Sequence, residues 1–273
     1  MLFGIAMFPT DYAVDPATLG RLVEERGFES LFLPEHTHIP ASRETAHPSG
    51  QELPPEYSHT YDPFVALGAA AVATERIKLA TGVCLIIQRD PIITAKEVAS
   101  LDRLCGGRFL FGVGAGWNLE EMEDHGTDPA RRFGVMRERV EAMKAIWTQD
   151  AAEYHGRYVD FGPLWSWPKP VQQPHPPIIV GGTGEKVLDR VLRFGDEWMP
   201  NRVKDAATLR SRIEELRERA GRHVPVTVSG ARPDRGTVEA YADAGADRIT
   251  FYVEPESATG VEASLDRYTE LTA

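Results

Sequence analysis

A short apolar run, a loop and a stretch of helical period follow one another eight times along this chain, and that repeat constrains the fold more than any single motif. The apolar runs read as strands at 3–8, 30–34, 77–86, 108–114, 177–181, 196–200, 224–230 and 248–254. Helices fill 15–28, 62–75, 91–105, 129–148, 184–194, 205–220, 235–244 and 258–271. In the first helix Leu19, Leu22 and Val23 keep helical spacing, Asp15 and Pro16 open it and Gly27 closes it. Leu209, Ile213 and Leu216 repeat the stripe behind Asp205. Sharing 273 residues among eight units gives roughly 34 each, the size of a strand–helix unit in a (β/α)8 barrel. A doubly wound sheet needs only about five or six strands and carries its nucleotide signature near the start. The pattern predicts an α/β fold, a single (β/α)8 TIM barrel domain over 1–273.

Two insertions break the rhythm, at about 36–61 and 149–176. The first falls after the second strand, on the face where barrel enzymes build their sites; strict barrel order puts the second on the opposite face. Loops this long are usually lids or binding loops. A formal net charge of −11 argues against nucleic acid as a partner. The longest uncharged apolar run, residues 64–73, is far short of the ~20 residues that span a membrane. The start reads directly as a strand, and Cys84 and Cys105 suggest no disulfide framework, so the expected setting is cytoplasmic.

Three loops converge on the catalytic face of such a barrel. "VGGTGEK" (180–186) opens a helix: Gly181, Gly182 and Gly184 let a ligand approach the main chain, Thr183 adds a hydroxyl, and the helix presents free N–H groups. This is an anion cradle or a tight turn; the Walker spacing is absent. "GVGAGWN" (112–118) is a weak dinucleotide mimic. Its small residues either clear space for a flat ring walled by Trp117 and Asn118, or relieve packing beside a buried tryptophan. Glu120 and Glu121 follow and read as a solvated helix start.

"PEHTHIP" (34–40) crowds Glu35, His36 and His38 at a strand end. A metal pair of the amidohydrolase kind, an organic-cofactor site and a solvated loop are the three readings. The metal reading needs histidines at the ends of strands five and six and an aspartate at the end of strand eight. "IIVGG" and "EWMPNR" offer no histidine, and Asp247 lies at the wrong end of its strand. No metal is therefore expected.

"FLPEHTHIP", "IKLATGVCLIIQRDPIITAKEVASLDRLCGGRFLFGVGAGWNLEE" and "PPIIVGGTGEKVLDRVLRFGDEWMP" together resemble the bacterial luciferase-like superfamily, and within it the coenzyme F-420-dependent (deazaflavin) oxidoreductases. The resemblance implies a hydride-transferring enzyme with F-420, or alternatively an FMN-dependent monooxygenase using reduced flavin and oxygen. It implies His36 as the catalytic histidine with Glu35 beside it. Thr81, Gly82 and Val83 would back the ring, with a non-prolyl cis bond at Gly82–Val83, and Gly181 to Gly184 would hold the phosphate. Some F-420 dehydrogenases carry a proton-donating glutamate where this chain has Trp117. Arg89 and Arg202 could meet an acidic cofactor tail or substrate, or form surface salt bridges. The small-molecule substrate is expected to be apolar or aromatic, lined by Tyr57, Tyr61, Trp165 and Trp167, and the family habit of pairing barrels implies a homodimer. A metal-dependent, amidohydrolase-like enzyme and a cofactor-binding protein without turnover are the remaining alternatives.

Overall fold

A computed structural model describes residues 1–201 and 203–272. Arg202 lies outside the described residues. In chain order the strands are β1 (Leu2–Ala6), β2 (Ser30–Leu33), β3 (Lys78–Thr81), β4 (Phe109–Val113), β5 (Ala152–His155), β6 (Asp160–Leu164), β7 (Ile178–Gly181), β8 (Glu197–Met199), β9 (Thr227–Ala231) and β10 (Arg248–Tyr252). The helices are α1 (Pro16–Glu25), α2 (Glu56–His59), α3 (Pro63–Ala73), α4 (Pro91–Leu104), α5 (Leu119–Asp124), α6 (Arg132–Thr148), α7 (Val187–Phe194), α8 (Ala206–Ala220), α9 (Arg235–Asp243) and α10 (Ala258–Thr269). Eight of these strands form one parallel sheet in the order β8-β7-β4-β3-β2-β1-β10-β9. Isolated bridges Trp198–Val226 and Asn201–Ser229 bring its two edges together, so the sheet is a nearly closed barrel with helices outside. Among the described residues no helix is long and apolar enough to cross a membrane.

Local chemistry explains the helix starts. Asp15, Asp62 and Asp90 each cap a helix by accepting backbone N–H groups, and each is followed by proline at the first helical position. Two expectations change. The apolar run at 77–86 is a strand only to Thr81; beyond it the chain leaves the ladder and forms a 3-10 turn at Ile86–Gln88. The insertion at 149–176 contains an antiparallel hairpin, β5–β6, anchored where buried Glu138 of α6 accepts the N–H groups of Tyr158 (2.6 Å) and Val159 (3.2 Å). Its return passes the N-terminal end of the barrel. There Asp102 accepts the N–H groups of Val171 (2.7 Å) and Gln172 (3.0 Å), and the Gln172 amide bonds the Phe109 carbonyl (2.7 Å).

Phe32, Ala80, Leu110, Ile179 and Met199 fill the barrel interior. Beneath them lies a buried ion network. Arg248 donates to Glu29 from Nε (2.8 Å) and to Glu197 (2.9 Å) and Thr227 (2.8 Å) from Nη1, and the Thr227 hydroxyl donates to Glu197.

Candidate active site

The floor of the mouth is made where β3 ends. The Gly82–Val83 bond is cis. The Thr81 hydroxyl (2.7 Å) and the Cys84 N–H (2.8 Å) both donate to the Gly112 carbonyl, fastening the departing chain to β4. Val83 packs on the interior cluster. Its methyl groups occupy the places of two missing side chains: a Cβ on Gly114 would lie 2.5 Å from Cγ2, and one on Gly181 2.8 Å from Cγ1. Gly114 of "GVGAGW" and Gly181 of "VGG" thus make room for Val83, whose side chain fills the gap they leave. Gly114→Ala should therefore lose about 1–3 kcal/mol in urea unfolding, as overpacked sites do. Val83→Ala in the same chain should recover most of it; failure to recover would mean that the glycine serves something other than Val83.

His36 follows β2. Its Nδ1 lies 2.8 Å from Glu121 Oε2, with side chains only 5% and 1% exposed. Tyr57 (5.2 Å between centroids) and Trp117 (5.7 Å, edge-on) flank the imidazole, and His47 contacts both, at 5.2 and 5.4 Å. The reading of Glu120 and Glu121 as a solvated helix start is corrected here. Glu121 faces inward, and Glu120 accepts the N–H (2.8 Å) and hydroxyl of Thr45, which hold its carboxyl down to about 2. Asp124 on the same short helix takes His38 Nε2 (3.0 Å), so α5 clasps the start of the first insertion at three points. With His36 and His38 tied to different carboxylates, they do not converge on one ion. Among the described residues no three His, Cys, Asp or Glu side chains could group around a metal.

Other expected residues have structural partners. Glu35 is buried, accepting the Leu85 N–H (2.6 Å) and Arg89 Nε (2.6 Å), so its carboxylate pins the segment after Val83 instead of facing substrate. Arg89 also reaches Asp62 and Glu97 (3.0 Å). Burial works against its charge, but the Glu35 and Asp62 carboxylates raise its pKa above the ordinary arginine value. Asn118 caps α5, accepting the Glu121 N–H (3.3 Å). Of the expected aromatic lining only Tyr57 joins His36; Trp165 is 85% exposed and Trp167 58%, beside α4.

Across the mouth, Gly181 to Gly184 connect β7 to α7. Gly182 has φ +117°, which glycine tolerates and other residues resist. Space around Gly182 and Gly184 is open, and α7, unlike α1, α3, α4, α8 and α9, has no side-chain cap on its first N–H groups. Thr183, Lys204 and Arg212 border an adjoining cavity of about 310 Å³. Uncapped amides, open glycines and nearby cations fit a phosphate group.

The sequence profile described as luciferase-like monooxygenase matches residues 10–272. The chain belongs to the luciferase-like monooxygenase family. An uncharacterized protein of Mycobacterium tuberculosis is 42% identical over 274 residues, covering 98% of this chain and 97% of that one. The FMNH2-dependent dimethylsulfone monooxygenase of Pseudomonas putida is 30% identical over 198 residues, 70% of this chain and 54% of the relative. Among solved structures, a monooxygenase from Streptomyces bottropensis superposes with TM-score 0.82 at 21% identity, covering 99% of this chain and 98% of its own. An F420-dependent secondary alcohol dehydrogenase with an F420–acetone adduct gives 0.78 at 18%, covering 99% and 97%. These last two share the fold of this luciferase-like barrel.

Proposed function

We propose that this luciferase-like enzyme transfers a hydride between F-420 and an apolar or aromatic organic substrate, with His36 handling the accompanying proton. The observation that carries the proposal is one juxtaposition at the strand ends. A nearly closed imidazole in an aromatic cage and the Val83 bulge stand on neighbouring strands, and an uncapped glycine cradle lies beyond them. When bound, the deazaflavin would supply the two-electron hydride donor or acceptor. Val83 would support the ring, and Gly181 to Gly184 with Thr183 would hold the phosphate. Tyr57, His47 and Trp117 would orient an apolar substrate and exclude water around His36. Glu35 would act through position, keeping the Val83 turn in place.

The FMN-dependent monooxygenase reading is favoured by the Pseudomonas putida relative, whose name specifies FMNH2. Titrating the protein with F-420 and separately with FMN, followed by cofactor fluorescence, decides between them. Micromolar or tighter F-420 with FMN much weaker is the expected result. The reverse preference would make the chain a reduced-flavin monooxygenase, and binding of neither would sink both readings. Pairing of two barrels, which the resemblance implies, has exposed Val65 and Val72 on α3 and Ile93 on α4 as apolar surface. A solution mass by sedimentation equilibrium tests it.

A further inference from the structure

We infer that Glu121 is the positioning residue of this site: it holds the proton on Nδ1 of His36 and so leaves Nε2 as the nitrogen that exchanges a proton with substrate. The inference rests on the reading of His36 as the acid–base group and adds to it a residue that sequence patterning assigns to the solvent.

Two observations converge. The first is the bond itself, 2.8 Å between two side chains almost wholly removed from water. An ionised carboxylate only accepts, so Nδ1 must donate, and a neutral imidazole with its proton on Nδ1 keeps its lone pair on Nε2. Among the described residues Nε2 has no hydrogen-bond partner, as a proton-exchanging atom requires. Tyr57 and Trp117 restrain the ring by packing, but neither contact distinguishes one nitrogen from the other.

The second is what Glu121 lacks. Its Oε1 is buried with no hydrogen-bond partner among the described residues. The structural carboxylates of this chain are saturated by comparison. Glu24 accepts the N–H groups of Glu75, Arg76 and Ile77, and Asp102 those of Val171 and Gln172 together with the Gln172 amide. A buried acid kept for stability would be expected to show such satisfaction, because an unpartnered polar atom costs free energy.

The proton balance follows. A bound deazaflavin would supply the two-electron acceptor for substrate oxidation, and His36 Nε2 would take the proton that the substrate gives up. The resulting imidazolium faces the Glu121 carboxylate. Reduction runs the same transfers backwards.

Glu121→Gln tests this, because glutamine keeps the length but can turn either its oxygen or its NH2 toward Nδ1. In cofactor-free protein, long-range ¹H–¹⁵N NMR should find His36 as the Nδ1–H tautomer in the wild type and a mixture in the variant. With cofactor, kcat should fall roughly 10²-fold while the KM for cofactor stays within about twofold, and Glu121→Asp should restore part of the rate. Melting temperature should hold or rise, since an unsatisfied buried charge is removed. An unchanged tautomer with kcat within about twofold would overturn the inference. So would a loss of activity that merely follows a loss of melting temperature. If the wild type bound neither F-420 nor FMN, the proposed function would fall on its own, while the tautomer measurement would still decide the role of Glu121.

Discussion

Arg248→Met should strongly destabilise this barrel, lowering unfolding free energy by about 3–5 kcal/mol and the melting temperature by roughly 10 °C. Arg248 is buried, and its guanidinium is shared between Glu29, Glu197 and Thr227. Those groups stand at or just before the starts of β2, β8, β9 and β10. The position matters because β8 and β9 are joined only weakly. Isolated bridges and a few main-chain bonds, such as Trp198 N–H to Pro225 O (3.0 Å) and Ser229 N–H to Pro200 O (2.9 Å), replace a ladder there. The ion network stitches that seam from inside. Removing Arg248 leaves Glu197 buried without its cation, which is worse than never having had the pair. Glu197→Gln/Arg248→Met should therefore recover most of the loss, to within about 1–2 kcal/mol of the wild type.

The pH dependence gives this prediction a second handle. Burial raises the Glu197 pKa above the ordinary carboxylate value even with Arg248 present. A carboxyl whose folded pKa is raised binds more protons folded than unfolded, so its ionisation penalises folding as pH rises and acidification relieves it. Without Arg248 the pKa rises further. The stability deficit of Arg248→Met should then be largest at neutral pH and above and shrink as pH falls toward about 5. Urea unfolding of the variant and the wild type across that range measures it. A deficit independent of pH would mean that lost packing, not uncompensated charge, is the cause.

These residues also mark where sequence patterning stops informing. The eight barrel units are legible because each is local: an apolar run and a helix with its own stripe carry their periods within about 15 residues. "EYHGRYVDFGPL" carries no such period. Its two strands are short, charged and supported by Glu138 of α6, so the β5–β6 hairpin emerges only when the chain is folded. Arg248 and Glu197 are invisible for a related reason. A charge at the first position of a buried strand looks like a solvated edge until the barrel closes around it. Glu121 gives a false local signal. With Asn118 three residues earlier it has the spacing of a capping box, whose acid turns back to its own helix start. It instead crosses to a loop 85 residues away. The Gly82–Val83 cis bond was expected from resemblance, and the structure contains it. What Gly114 and Gly181 accommodate required the position of Val83.

His36→Asn should lower kcat by about 10²–10⁴-fold, the usual worth of a general acid–base group, while changing cofactor affinity by no more than about threefold. Asparagine is chosen because its amide nitrogen can stand close to where Nδ1 stands. It can still donate to Glu121, so the buried carboxylate is not abandoned, but the variant has nothing at the position of Nε2. His36→Gln makes the opposite cut, extending an amide toward Nε2 while losing the Nδ1 bond. If His36 moves the proton, both variants should be slow, and Asn should keep the wild-type melting temperature while Gln leaves Glu121 with neither oxygen bonded and melts lower. If His36 only braces α5, Asn should turn over nearly normally, and Gln alone should suffer. Cofactor affinity stays almost fixed under the first account because the glycine cradle belongs to β7 and α7, and His36 to the loop after β2. A fall in F-420 binding as large as the fall in rate would show instead that the imidazole is part of the binding surface. Stopped-flow hydride transfer at saturating cofactor separates these outcomes.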